Sequence, residues 1–286
     1  MNAEESTHAH GGISILHAAG CGWGCTVPLE LTCEAFVTDS WPFNIGQDPH
    51  MLMAQLRPSL LDVIGHDVGD SFFFRIRSDI PSSMGLKSSS AASVSAVRLA
   101  AIAHDIPLSN SEIVQVATQM QLRAGCSMTG SFDDTWSALG KIAAVIRTDS
   151  SNPFEPVASI DIEPSLCTLL LRGTRESIPE RPNFYKNKSK FEAARDYLMS
   201  GDIRSAMREN ADAVALSTDD VQASEIIDKL FSLDYTANIS GSGPAIAVLH
   251  NQDQSSHLSE ILGVYGPTIT TKIAHDPRQM EGLQWA

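Results

Sequence analysis

Pro81-Ser-Ser-Met-Gly85-Leu-Lys-Ser-Ser-Ser90-Ala-Ala joins two runs of opposite character. Before it, Ser71–Arg77 sets Phe72, Phe74 and Ile76 two residues apart and then meets Asp79-Ile80-Pro81, so a strand ends and a loop begins. After it, Ser88–His104 is rich in Ala and Ser and contains no proline or glycine, which predicts a close-packed helix of small residues. A helix start leaves unpaired N–H groups and a partial positive charge, the makings of an anion site. Gly85 lets the backbone approach closely, Lys87 adds a full positive charge, and Ser88, Ser89 and Ser90 offer hydroxyls suited to phosphate or to a hard cation. The plainer reading is a Ser-capped helix behind an ordinary loop, and composition alone does not separate the two. Spacing does exclude a Walker A cradle, because Leu86 stands between Gly85 and Lys87.

Working outward, Ser109 and Glu112 form a capping box for a second helix, with Ile113, Val116, Ala117 and Met120 on one face and Gly125 as its stop. A loop over 125–131 leads to a helix start in Phe132–Leu139 and a returning strand in Ile142–Arg147. On the N-terminal side, residues 26–38 alternate with period two and predict a strand, as does 13–18. Between them Ala19-Gly-Cys-Gly-Trp-Gly24 suits a tight hairpin turn or a close backbone approach to a ligand. The stretch Asp149–Pro164, with three prolines, is the best candidate for a domain junction. Beyond it we expect a strand at Leu166–Leu171, helices near 190–199, 203–215 and 219–232, strands near 235–239 and 244–249, a helix at 254–262 and a strand at 267–273. The pattern is two α+β units, 1–155 and 156–286, with no internal repeat.

Composition narrows the function classes. At 286 residues and 43% apolar the chain can bury a large core. Its net charge of −14 is the wrong sign for sequence-independent binding to nucleic acid or anionic lipid. An anionic ligand must therefore be held by local groups, since free charges act only over about 8 Å at physiological salt. No apolar stretch approaches the roughly 20 residues that span a bilayer, and the acidic N-terminus Met1–His10 lacks Lys and Arg, so a cytoplasmic chain without membrane contact is expected. Cys21, Cys25, Cys33, Cys126 and Cys167 follow no disulfide or metal spacing and read as reduced thiols; His17, Cys21 and Cys25 have no second ligand pair at zinc-finger distance. Nothing in the sequence fixes an oligomeric state.

The residues then resemble a known family. Pro81-x-x-x-Gly85-Leu-x-Ser-Ser89 is similar to the signature of the GHMP kinases, and Gly85-Leu-Lys-Ser-Ser-Ser-Ala resembles the archaeal-type shikimate kinase branch. Thr129-Gly-Ser-Phe-Asp133-Asp134, followed by Gly140, is similar to the segment that carries the catalytic Asp in mevalonate kinase and galactokinase. Ile239-Ser-Gly241-Ser-Gly243-Pro resembles the third motif of the family, and Gly20–Gly24 is a loose counterpart of the first. The resemblance implies a ribosomal-S5-like first domain and a ferredoxin-like second one, with ATP and Mg²⁺ as cofactors and shikimate as the phosphoryl acceptor. It implies nucleotide contacts from Ser83, Gly85, Leu86, Lys87, Ser88, Ser89, Ser90, Gly241, Ser242 and Gly243, and acceptor contacts from Gly22, Thr129, Gly130 and Asp133.

Phosphoryl transfer asks for a carboxylate that orients the attacking hydroxyl and takes its proton; Asp133 is the candidate and Asp134 the alternative, and both could instead simply cap the helix at 132. Two departures stand out. Lys141 occupies a position where relatives usually have glycine. The helix before Asp133 reads Thr118-Gln119-Met120-Gln121 where many GHMP kinases place a Mg²⁺-binding glutamate, which leaves Ser89 as the one metal ligand to name. The acceptor's carboxylate would need a cation, for which Arg75, Arg77, Arg123 and Arg147 are available. Homoserine kinases share Ser-Gly-x-Gly-Pro but generally lack the Asp; a mevalonate-type kinase and a non-catalytic binding protein are the other readings.

Overall fold

The computed structural model describes residues 6–40, 42, 48, 50–130, 132–140, 142–174 and 179–274, so Lys141 lies outside the described residues. The first part of the chain runs β1 (Ser6–Leu16), α1 (Ala18–Cys21), β2 (Trp23–Val37), α2 (Leu56–Ile64), β3 (Phe74–Ser78), α3 (Ser88–Ala103), α4 (Asn110–Arg123), α5 (Phe132–Ala138), β4 (Ala143–Arg147) and β5 (Ala158–Ile160). The second part runs β6 (Leu166–Leu170), α6 (Arg181–Lys186), α7 (Lys188–Met199), α8 (Ile203–Thr218), α9 (Val221–Ser232), β7 (Thr236–Ile239), β8 (Ile246–His250), α10 (Ser255–Gly263) and β9 (Thr268–Lys272). The chain is α+β, with one antiparallel sheet in each part.

The first sheet is organised by β2, whose 15 residues are long enough to serve two partners on one edge. β1 covers its other edge, with Ile13 opposite Val27 and Ser14 opposite Thr26. β3 pairs with Cys33–Val37, and β4 pairs with Trp23–Thr26. Between those two, Pro28 and Leu29 are left for the second part of the chain: Leu29 bridges Ile273, and Ala274 N donates to Pro28 O at 3.0 Å. Pro28 has no N–H of its own, so only its carbonyl needs a partner there. The second sheet has the order β7-β8-β6-β9.

α3 lies against β1, β2, α4 and α5, and its buried face is almost all Ala, Ser and Val. Small side chains on nearly every face allow a helix to be enclosed on several sides at once. α4 starts on the expected capping box: Glu112 N donates to Ser109 Oγ at 3.2 Å and Ser109 N to Glu112 Oε2 at 2.8 Å.

Several expectations need correcting. The 19–24 stretch is no plain hairpin turn: it forms α1, closed by Gly22 in the left-handed region at φ 77°. Gly20 backs onto the Phe191 ring of α7, which would collide with a Cβ there. The expected junction 149–164 contains β5, which pairs with β4 and joins the first sheet, so the boundary at 155 falls just before that strand. α2 and α6 were not anticipated. Both carry a proline in the first turn, Pro58 and Pro182, where its missing N–H costs nothing. α8 continues to Thr218 instead of stopping near 215.

Candidate active site

The loop before α3 curls through three left-handed residues, Ser83 (φ 59°), Gly85 (φ 80°) and Lys87 (φ 67°). Three successive carbonyls of the loop are taken. Met84 O accepts from Ala245 N at 3.3 Å, Gly85 O from Ser240 Oγ at 2.7 Å and Leu86 O from Gly12 N at 3.2 Å. With successive carbonyls turned into the protein, the loop presents its amide side and the start of α3 outward, as an anion cradle requires. The 239–245 turn between β7 and β8 therefore packs directly on this loop. A Cβ at Gly85 would strike the Ser240 carbonyl oxygen, and one at Gly241 would lie 3.3 Å from Lys87 Nζ. Gly243 stands in the same turn at φ 74°, and Ser242 is half-buried beside it.

Some of the expected phosphate ligands point elsewhere. The Leu86 side chain is in the core, so only its backbone is available. Ser90 is buried and donates to Gln121 Oε1 at 3.0 Å, while Ser88 and Ser89 stay half-buried. Lys87 does not project freely into the cradle. Its side chain, 8% exposed, turns beneath the loop to meet Asp134 Oδ1 at 2.8 Å and Ser14 Oγ at 2.7 Å.

Beneath the loop lies an acidic pair at the first turn of α5. Asp133 is 4% exposed and faces β2, where Gly24 leaves room for it: a Cβ at Gly24 would sit 2.6 Å from the Asp133 carboxyl carbon. Thr26 on the same face of β2 places its hydroxyl 2.9 Å from Asp133 Oδ2 and 2.8 Å from Asp134 Oδ1. Burial first, and then the negative charge of Asp134, push the Asp133 carboxyl up to about 7, against the opposing pull of Lys87 and Thr26. A carboxyl that changes protonation near neutrality, buried beside an anion cradle, has the properties of a general base.

Gln121, in the Thr118–Gln121 stretch of α4, is the residue that reaches Ser89 and Ser90. Its Nε2 donates to Ala117 O at 3.3 Å and to Thr135 Oγ1 at 3.2 Å; since a carbonyl can only accept, the amide orientation is fixed. Oε1 then accepts from Ser89 at 3.3 Å as well as from Ser90. With both hydroxyl protons on Gln121, the lone pairs of Ser89 are left for a cation. Among the described residues no cluster of three or more His, Cys, Asp or Glu forms a cation site. This neutral donor set suits Mg²⁺ that takes its charged ligands from nucleotide phosphates.

The remaining expected residues fall at the rim. Gly22 O accepts from Thr148 N at 2.8 Å and Thr148 Oγ1 at 3.0 Å, so it closes the start of β2; the glycine that meets Asp133 is Gly24. Thr129 and Gly130 precede α5, with their amides donating to Ser127 Oγ at 3.3 and 3.0 Å. Arg77 is paired with Glu34, Arg123 with Asp62 and Arg147 with Asp149, and Arg75 is exposed on β3. β3 lies along β2 from Cys33 onward, roughly 23 Å of strand from Thr26 at about 3.3 Å per residue.

Sequence reasoning missed Ser14, Gly24, Thr26 and Ser240. The available signal was a small or polar residue at a buried strand position, as in Ile13-Ser14-Ile15, where an apolar side chain would otherwise be expected.

Residues 55–141 match the family model described as the GHMP kinases N terminal domain. The chain is 30% identical to the shikimate kinase of Thermococcus kodakarensis over 93% of this chain and 98% of that one. Its fold is shared with a crystal structure of mevalonate kinase at a TM-score of 0.71 and 13% identity, covering 95% of this chain and 100% of that one. A phosphotransferase related to the CoA biosynthesis pathway matches at 0.69 and 10% identity, covering 94% and 96%. Such low identities speak for the fold alone. With the anion cradle, the turn that backs it and the buried carboxylate all in place, and with a full-length relative at 30% identity, the chain belongs to the GHMP kinase superfamily of small-molecule kinases.

Proposed function

We propose that the chain transfers the γ-phosphoryl group of ATP to a hydroxyl of shikimate, giving shikimate 3-phosphate and ADP, in a cytoplasmic setting that keeps its five free cysteines reduced. The observation that carries the transfer is the buried Asp133 carboxyl beside the amide side of the 81–87 loop. The loop and the start of α3 hold the phosphates. Asp133 accepts the proton of the acceptor hydroxyl as the new oxygen–phosphorus bond forms and the bond to the ADP oxygen breaks. Ser89 would hold Mg²⁺, which when bound neutralises charge on the phosphates. Shikimate as the acceptor is supported by the full-length relative and by the wording of Gly85-Leu-Lys-Ser-Ser-Ser and Phe132-Asp-Asp.

An ADP-release assay across shikimate, homoserine and mevalonate tests the acceptor. Turnover of shikimate is expected; turnover of homoserine or mevalonate without shikimate overturns the assignment. Asp133→Asn should lower kcat by about 10²–10⁴-fold while ATP binding stays near wild type. A second reading, a ligand-binding protein without transfer, is favoured by the neutral Gln121 beside Ser89. Its signature is a wild-type chain that binds ATP and turns over no acceptor.

A further inference from the structure

One hydroxyl proton serves two short contacts beside Asp133. Thr26 has one hydroxyl proton, and it faces an oxygen of each acid, at 2.9 and 2.8 Å. Asp134 Oδ1 has a second donor in the Lys87 ammonium at 2.8 Å, whereas the Asp133 carboxyl draws on Thr26 and on its own backbone N–H. The two acids are thus unequal: one is held by a cation, the other depends on a shared proton. Two arrangements satisfy every group. When Asp133 is ionised, Thr26 donates to it and Asp134 rests on Lys87. When Asp133 carries a proton, it donates to Thr26 Oγ1, and the Thr26 proton turns to Asp134.

We propose that Thr26 is a positioning residue for phosphoryl transfer, a two-position hydroxyl that turns toward Asp133 before the acceptor proton arrives and toward Asp134 after it. This rests on Asp133 being the base. The balance is closed within the cluster: the acceptor's proton ends on Asp133, Thr26 keeps its own, and only the direction of donation changes. The device explains why Asp134 is present at all, half-buried beside an acid whose ionisation it opposes. An apolar side chain at 134 would leave Thr26 without an acceptor in the protonated state and Lys87 without its counter-ion.

The surroundings leave Thr26, Asp134 and Lys87 as the groups that set this equilibrium. β2 also brings Cys25, a fully buried thiol whose burial and proximity to Asp133 hold it neutral. β1 brings Ser14 to Lys87, and His10 lies beside Gly140 past the far end of α5. α4 brings the neutral Gln121, and β4 brings apolar residues and Arg147, which turns to Asp149.

Two substitutions should move the pH profile of kcat in opposite directions. Thr26→Val takes a donor from a buried charged carboxylate, a larger loss than the bonds that protonated Asp133 gives up while Asp134 keeps Lys87, so the acidic limb should move up by about one pH unit. Near pH 6 that is a roughly tenfold loss relative to wild type, with little loss at pH 9. Asp134→Asn removes the opposing negative charge and frees Lys87, so the limb should move down. Thr26→Ser keeps the hydroxyl and should restore the wild-type limb. Carbon-13 titration of the Asp133 carboxyl in the unliganded chain should show the same opposite shifts even if product release masks the kinetic limb. The proposal is overturned if Thr26→Val leaves that titration unmoved, or if the activity of Thr26→Val falls by one factor at every pH. Failure of the base assignment looks different: Asp133→Asn would then retain activity, whatever Thr26 does.

Discussion

Asp133 is held in the fold at a cost that shifts with pH. Its ordinary carboxyl value is 3.8 and its folded value about 7, so between those limits the folded chain binds a proton that the unfolded chain has released. Stability therefore falls as pH rises from about 4 to about 7, and stays reduced above that window. Asp133→Asn removes the penalty. The variant should be more stable than wild type to urea at pH 8, by on the order of a few kcal/mol of unfolding free energy, with the difference vanishing below pH 4. A variant equally stable or less stable at pH 8 would contradict the burial argument. The same residue should be better for the fold as Asn and far worse for turnover, the usual mark of a side chain kept for chemistry.

Among the elements, the 81–87 loop and the 239–245 turn act as one piece. Gly85→Ala places a methyl group against the Ser240 carbonyl, a backbone atom that cannot swing aside, at a residue whose φ of 80° already disfavours a side chain. Overpacking of this kind costs about 1–3 kcal/mol, so the KM for ATP should rise on the order of tenfold while the acceptor KM changes little. Equal changes in both constants would argue against a nucleotide-specific loop.

What could be read in advance at this scale follows local chemistry. The Ser109–Glu112 box and the uninterrupted Ala/Ser run of α3 are decided within a few residues, and both formed as expected. α2 and α6 were missed because a proline near the start of a short helix reads as a break unless its place in the first turn is known. Asp133 could be singled out from its motif, but its neighbours could not. Lys87 reads as a phosphate ligand from composition, and its pairing with Asp134 depends on how α3 and α5 meet. Gln121 appeared only as a missing glutamate; that it orients two serines depends on the packing of α4 against α3. Residues far apart in sequence leave no local pattern when they share one proton.

For the molecule as a whole, the two parts are joined by a chain of amides where β1 leaves its sheet. His17 N donates to Asn210 Oδ1 at 2.8 Å, Asn210 Nδ2 to Asn238 Oδ1 at 3.0 Å, and Asn238 Nδ2 to the carbonyls of Ser14 and Ile15 at 2.8 and 3.2 Å. A backbone N–H at one end and backbone carbonyls at the other fix every amide orientation. Asn238→Leu would strand these groups in the interior, and about 2–4 kcal/mol of stability should be lost in urea unfolding. Adding Asn210→Leu should cost less than it does alone, because the two share one network. Strict additivity would show that the amides act separately. No helix among the described residues is long and apolar enough to cross a membrane.

The bond from Ser14 N to Ser240 Oγ spans 226 positions of sequence. At about 5–20 residues per second, a ribosome needs roughly 10–45 s to travel between them. For that interval the first strand exists without the turn that completes its end, and the loop before α3 lacks two of the donors that turn its carbonyls inward. The packed form of the 81–87 loop is consequently one of the late features of a newly made chain, and any ligand it holds meets it only after the 239–245 turn has been made.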